Sequence, residues 1–244
     1  MSRFVSVLVS SFVAVAAFTV VAGPAFAQDP PAAEPPAAQP PPVAQQTAAT
    51  AGSVFDRPGL DLGVRLGYAL PFGDVVTDSK LGDSFSGAVP LVLEAGYRIN
   101  GNFTVGLLFQ YAVGQTKNCD PGTSCSGNIV RLGLEGIYNF NLEGVFTPWL
   151  GLGTGYEWLG VSQSGGGQDI SGGLHGFELF TAHAGGDFRV APQFALGPFV
   201  SFSLAQYSTV TAEVGGVSAS QDIGDSDKKM HEWLQLGVRG RFGI

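Results

Sequence analysis

Ionisable side chains are sparse in this chain of 244 residues, and their spacing carries more information than their number. Asp61, Arg65, Glu94, Arg98, Arg131, Glu135, Glu157, Asp187, Arg189, Arg239 and Arg241 all share one phase of a two-residue alternation, together with glycines and small polar residues. The opposite phase is apolar. Acids and arginines nearly balanced on one shielded face have two chemical uses: they pair as salt bridges that fill an interior, or they line a path for ions. Strand directions place Asp61 near Arg98, Arg65 near Glu94, Arg131 near Glu135 and Glu157, and Arg241 near Asp61 across a closing seam. The filled interior is the favoured reading. If these pairs plug the lumen, neutralising Arg65 together with Glu94 is expected to raise conductance.

Other chemistry-bearing residues form no such network. His183 shares the charged phase, but its same-face acid Asp187 lies four residues along one strand, about 13 Å away and beyond hydrogen-bond reach. Ser201 and Ser203 on a neighbouring segment come closer, yet His183 reads best as a polar filler, and no catalytic residue is assigned. Cys119 and Cys125 flank a Pro-Gly turn on the oxidising side of the cell, so a disulfide is expected, contributing about 2 kcal/mol. Asp222, Asp225 and Asp227 lack the spacing of an EF-hand calcium loop. No metal and no cofactor is expected.

The alternation that orders these charges begins at residue 59, and no segment of helical period matches it in strength. Its apolar phase appears in eight segments: Leu60 to Leu70, Val89 to Ile99, Phe103 to Val113, Val130 to Phe140, Phe146 to Trp158, Phe180 to Val190, Phe194 to Leu204 and Leu234 to Ile244. Glu178 has the apolar phase, but it sits at the end of its segment, where it can lie above a hydrocarbon layer. Charged residues are 13% of the chain, about half the usual share, and 36 glycines are about twice the usual share. The glycines follow no Gly-X-Y period, which excludes collagen, and 45% hydrophobic content excludes disorder of the whole chain.

The first 27 residues have the form of an export signal, with Arg3 ahead of an apolar stretch from Phe4 to Ala22 and a small-residue cleavage site at Ala25-Phe26-Ala27. Residues 28–58 then read as a Pro/Ala-rich periplasmic linker, extended and solvated. The formal net charge of −8 becomes −9 once Arg3 is cleaved away, which with export makes nucleic acid an improbable partner. Residues 59–244 form the remaining domain.

Connections between the strand segments alternate in length. Asn100-Gly101 carries a type I′ hairpin signal, and Leu142-Glu143-Gly144 and Ala191-Pro192-Gln193 are tight turns. The other four connections, near 73 to 87, 114 to 127, 161 to 174 and 208 to 228, are long and polar. Charges confined to one phase and aromatics rimming the other define an all-β fold, an eight-stranded antiparallel transmembrane β-barrel with short periplasmic turns and four long extracellular loops. A soluble barrel would put its apolar face inward instead. Tyr97, Phe103, Tyr138, Phe140, Phe146, Phe188, Phe194 and Phe242 form a candidate girdle at the turn end, and Tyr68, Tyr111, Tyr156, Trp158 and Phe202 one at the loop end.

From about Gly59 to Ile244 the chain resembles the small OmpA/OmpX-type outer-membrane β-barrel proteins of Gram-negative bacteria. Its ending, Gln235 to Ile244, is similar to the alternating terminal strand read by the barrel-assembly machinery, with Ile in place of the usual final Phe. The resemblance implies insertion into the cell outer membrane, contact with its lipid and lipopolysaccharide, and roles ranging from envelope support and adhesion to small pores. The peptidoglycan-binding domain that some relatives carry is not expected here. The expected function is a non-enzymatic structural or surface-interaction role, through the loops or with the cell wall, and the alternative is a narrow channel for ions or small solutes.

Overall fold

The computed structural model describes residues 54–244 apart from 77–78, 118, 120–121, 141, 143, 166–167 and 215–216. The expected signal segment and the linker up to residue 53 lie outside the described residues. A 3-10 turn at Val54–Asp56 leads into β1 (Gly59–Val76), followed by β2 (Ser79–Lys80), α1 (Leu81–Ser84), β3 (Phe85–Arg98), β4 (Phe103–Thr116) and β5 (Ser124–Asn139). Then come β6 (Phe146–Gly165), β7 (Gln168–Ala191), β8 (Phe194–Val214), β9 (Val217–Asp222) and β10 (Met230–Gly243). Among the described residues, no helix is long and apolar enough to cross a membrane. The crossing is made by strands.

The eight long strands form one antiparallel ring in the order β10-β1-β3-β4-β5-β6-β7-β8, closed by pairing of β8 with β10. Closure removes the sheet edge, which is the condition for strands to stand in hydrocarbon. The seam between β1 and β10 runs in unbroken register from Asp61↔Gly243 to Gly73↔His231. The alternating pattern decides which face meets lipid. Leu66, Leu107, Leu134 and Leu152 are all more than half exposed on the outside, whereas Arg98 and Glu157 have no exposed surface at all. Tyr138 packs edge-on against Phe140 and Phe146 against Phe188 at the turn end, and Tyr156 against Trp158 and Phe180 against Phe202 at the loop end.

The strands run longer than the alternation indicated. About 9–11 residues suffice to span a membrane, yet β7 has 24 and β8 has 21. The segments near 161 to 174 and 208 to 228, expected as long loops, are largely strand: β6 and β7 stay paired from Leu159↔Leu174 to Gly165↔Gln168, and β8 turns back through β9. Backbone ladder bonds do not need an apolar side chain, so Gly- and Ser-rich sequence carries the sheet onward without the signature by which strands are read.

Two shorter connections also refine the expectation. Pro192 and Gln193 join β7 to β8 as a tight turn. At 100–102 the hairpin is a three-residue loop rather than a type I′ turn, because Gly101 does not take positive φ and Asn100 Oδ1 instead accepts the backbone N–H groups of Asn102 (3.0 Å) and Phe103 (2.8 Å). The turn is an Asx cap, the alternative use of Asn in turns. Cys119 and Cys125 are joined by the expected disulfide, with Cα atoms 5.9 Å apart.

One close approach fixes the seam. Gly67 and Gly237 are register partners, and a Cβ on either would collide with backbone of the facing strand, at Leu236 or Leu66. Neither obstacle is a movable side chain. Gly237→Val is therefore expected to destabilise the barrel by at least the roughly 1–3 kcal/mol typical of overpacking. Urea unfolding in lipid vesicles, followed by the mobility shift of folded barrel on unheated gels, measures it; an unchanged midpoint would refute the constraint.

Candidate functional site

The lumen holds the sequence-predicted charges in three stacked groups. At the turn end Asp61 is shared by two arginines: Arg98 donates to Oδ1, and Arg241 Nη2 to Oδ2 at 2.5 Å. Thr104 donates to the same Oδ2 at 3.3 Å, and Arg241 also reaches Asn139 Oδ1 at 3.2 Å. In the middle, Arg65 pairs with Glu94 and with Glu135 (2.9 Å), while Arg239 pairs with Glu94 (2.9 Å) and Asp187 (3.3 Å). Trp149 Nε1 donates to Asp187 at 3.0 Å, and its ring lies 4.6 Å from the Arg239 guanidinium. His183 lies between Arg65 and Glu135, with Nδ1 3.4 Å from Arg65 and Nε2 3.4 Å from Glu135.

The third group lies towards the loop end. Arg131 pairs with Glu157 (2.6 Å) and Glu178 (3.3 Å), Tyr207 donates its hydroxyl to Glu157, and His231 Nε2 approaches the same carboxylate at 3.1 Å. Tyr207 and His231 stack with ring centroids 4.1 Å apart. All these ionisable groups are buried. Charges so placed are tolerated because each faces an opposite partner; removing one partner would strand the other in a medium that cannot solvate it.

Inward glycines make room for these side chains. A Cβ at Gly151 would overlap the His183 ring, and one at Gly185 would meet the Trp149 ring at 2.5 Å. Aromatic and apolar side chains pack at both ends of these groups. Phe55, in the turn that ends the expected linker, lies 4.7 Å from the Arg241 guanidinium and 5.6 Å from that of Arg98. Arg98 also donates to the carbonyls of Arg57 (2.6 Å) and Val54 (2.8 Å), fastening that turn to the barrel. At the other end Leu81, Phe85, Ile129, Leu159, Ile223 and Trp233 form a buried apolar cluster above the Arg131 group.

The expected pairings of Asp61 with Arg98 and Arg241, of Arg65 with Glu94 and of Arg131 with Glu157 are present. Three assignments are corrected. Glu135 pairs with Arg65 rather than Arg131, because four residues along one strand separate Arg131 from Glu135 by about 13 Å, while the barrel brings Arg65 alongside. Arg189 leaves the lumen for the turn-end rim, where it bonds Asp56 (2.9 Å) and the Leu142 carbonyl. Glu178, expected above the hydrocarbon, is buried inside. A bulge in β7 shifts the register between Glu178 and Phe180, so Leu179 and Phe180 both face outward and the phase changes. Among the described residues the interior therefore holds six carboxylates and five arginines.

Tyr207 and His231 escaped the sequence reading because the strands were ended too early; carrying the inward phase back from Trp233 and onward from Ser203 reaches both. Phe55 had no periodic signal, and Glu178 carried the wrong phase because of the bulge. His183 faces Ser201 in register, but its ring nitrogens point to Arg65 and Glu135, and Asp187 is held by Trp149 and Arg239, so no nucleophile-base pair is assembled. Asp225 accepts from Lys228 at 2.7 Å, an exposed contact that holds its carboxyl below the usual range. Among the described residues no three His, Cys, Asp or Glu side chains converge as metal ligands.

A closed ring with lipid outside and neutralised charge inside defines an integral outer-membrane β-barrel protein. No protein-family model and no curated protein sequence matches the chain. Solved structures similar to it include the Neisserial surface protein A, at 17% identity, covering 74% of this chain and 96% of that one with a TM-score of 0.45. A major outer membrane protein from Thermus thermophilus is 14% identical, covering 76% and 99% with a TM-score of 0.49. Ail, the attachment invasion locus protein of Yersinia pestis, is 16% identical, covering 74% and 98% with a TM-score of 0.41.

The difference between buried and rim pairs is measurable. Arg131→Ala strands Glu157 and Glu178 and is expected to cost about 3–5 kcal/mol, whereas Arg189→Ala, at the partly exposed rim, is expected to cost less than about 1 kcal/mol. Urea unfolding of the two variants in lipid vesicles compares them, and equal losses would overturn the assignment.

Proposed function

We propose that this barrel is a sealed, non-enzymatic outer-membrane scaffold whose role is structural or surface interaction through its loop end. The observation that carries this reading is that three separate ion-pair groups occupy the lumen in series, with Phe55 over one mouth and the Phe85 cluster over the other. An eight-stranded barrel is only wide enough for side chains to fill it. The strands raise the wall well beyond the membrane, and β9 is exposed along its whole length, which offers a surface to an extracellular partner. In this reading outer-membrane lipid and lipopolysaccharide surround the belt, the barrel-assembly machinery engages β10, and a cell-wall contact falls to the linker.

The series arrangement changes the expectation for conductance. Neutralising Arg65 with Glu94 opens only the middle group and leaves the Asp61 and Arg131 groups in place. Single-channel recording of the refolded mature chain in a planar bilayer is expected to be silent for wild type and for Arg65→Ala/Glu94→Ala. Reproducible steps from folded wild type would overturn the reading in favour of a narrow pore for ions or small solutes.

A further inference from the structure

Above the membrane the polarity of the wall inverts. Within the belt the inward phase is charged and the outward phase apolar, but in the extension of β6, β7 and β8 the order is reversed. Leu159↔Leu174 and Leu174↔Val210 are register partners that face inward, while Ser162↔Ser171 and His175↔Thr209 belong to the outward phase. This is the arrangement of a soluble ligand-binding barrel. Opposite that wall stand Leu81, Phe85 and Ile223, and the two sides enclose a cup of about 430 Å³, partly open. Its volume lies within the range of small-molecule sites.

The composition of the cup selects its occupant. No ionisable side chain lines it; Ser79, Ser84 and Thr211 contribute hydroxyls, that of Thr211 already donating to the Gly173 carbonyl at 3.3 Å, and the rest is aliphatic, aromatic or glycine backbone. A charged ligand would lose hydration there without gaining a partner. Val210 faces the cup yet is 40% exposed, so apolar surface stands ready to be covered. The space is not forced by the backbone: a Cβ at Gly172 would lie 3.7 Å from its nearest neighbours, in ordinary contact, and φ there is not in the left-handed region. The cup is blind, because Phe85 and Tyr207 beneath it are fully buried and the Arg131–Glu157 pair follows.

We propose that this cup is a binding site for a small uncharged hydrophobic molecule with a single hydroxyl or carbonyl, captured from the extracellular side and held above the lumen. Capture there needs no conduction, so the site stands whether or not the lumen is sealed. The apolar grooves on the lipid face, one of them lined by Leu107, Leu134 and Leu152, carry no comparable selectivity, since acyl chains bathe them.

The test uses the mature chain in lipid nanodiscs with methyl-labelled Leu and Val, titrated with decan-1-ol and, separately, decanoate. Decan-1-ol is expected to shift the methyls of Leu159, Leu174 and Val210 saturably, while Leu62, Leu107 and Leu134 on the lipid face drift linearly. Gly172→Leu, which fills the cup, is expected to raise the half-saturating concentration at least ten-fold. Should that variant fail to fold, Val210→Asp, at a water-exposed position, is expected to do the same. Decanoate is expected to show no saturable shift. The proposal is overturned if cup methyls drift like lipid-face methyls, if a folded cup variant titrates as wild type, or if decanoate saturates the cup equally.

Discussion

Closure of the backbone hydrogen-bond ladder is the constraint on which the rest of this structure depends. In hydrocarbon an unpaired N–H or C=O has no water to turn to, so a sheet that enters the membrane must leave no edge. The β1–β10 seam meets that demand in continuous register, extended by reciprocal backbone bonds between Leu60 and Ile244 at 3.1 and 2.8 Å. Eight strands then set the bore, and the alternation of strand side chains assigns every second residue to it. Once the ring is closed, sequence parity and burial coincide wherever the ladder runs without a bulge.

The bore holds many buried charges, so its electrostatics must be settled internally. Bridging contacts serve that end better than isolated pairs. Asp61 joins Arg98 to Arg241, Glu94 joins Arg65 to Arg239, and Arg131 joins Glu157 to Glu178. The first two tie β10, late in the chain, to β1 and β3, and the third ties the successive strands β5, β6 and β7, so the interior acts as a set of cross-braces. Buried ion pairs contribute little net stability compared with apolar packing, but breaking one is costly. The braces therefore specify which strands face one another more than they strengthen the ring.

How far this was legible from sequence follows from the same logic. Pairs such as Arg65–Glu94 and Arg131–Glu157 could be read because uninterrupted alternation fixes both face and approximate depth. Glu178 could not, because a single extra residue in β7 reverses the phase, and nothing in Glu178-Leu179-Phe180-Thr181 announces a bulge. Arg189 kept the right phase but sits where β7 again loses register with β8, at the rim, so it turns to Asp56. Phe55 was hidden for another reason: a lone aromatic after a Pro/Ala-rich stretch has no period, and its role as a cover exists only through the guanidinium groups it lies upon. Strand ends were underestimated wherever glycine and serine replaced the apolar phase.

The extended wall meets a different solvent from the belt. Below the outer interface, lipid dictates an apolar exterior and leaves the interior to charge. Above it, water surrounds the wall, the requirement lapses, and the same alternating backbone is free to turn its apolar phase inward. The bulges in the β7–β8 ladder, at Glu178/Phe180 and at His175/Gly176, lie at the level where this change occurs. A register shift is the economical way to exchange the two faces of a strand without interrupting the ladder, since one extra residue moves every later side chain across. The Glu178 bulge draws the last carboxylate into the ion-pair region. It also leaves Leu174 on the inward phase, and the extra residue of β8 at the next shift, Ser208, does the same for Val210. The irregularities in β7 and β8 thus mark a boundary between two solvents, and the apolar cup begins where the charged lumen ends.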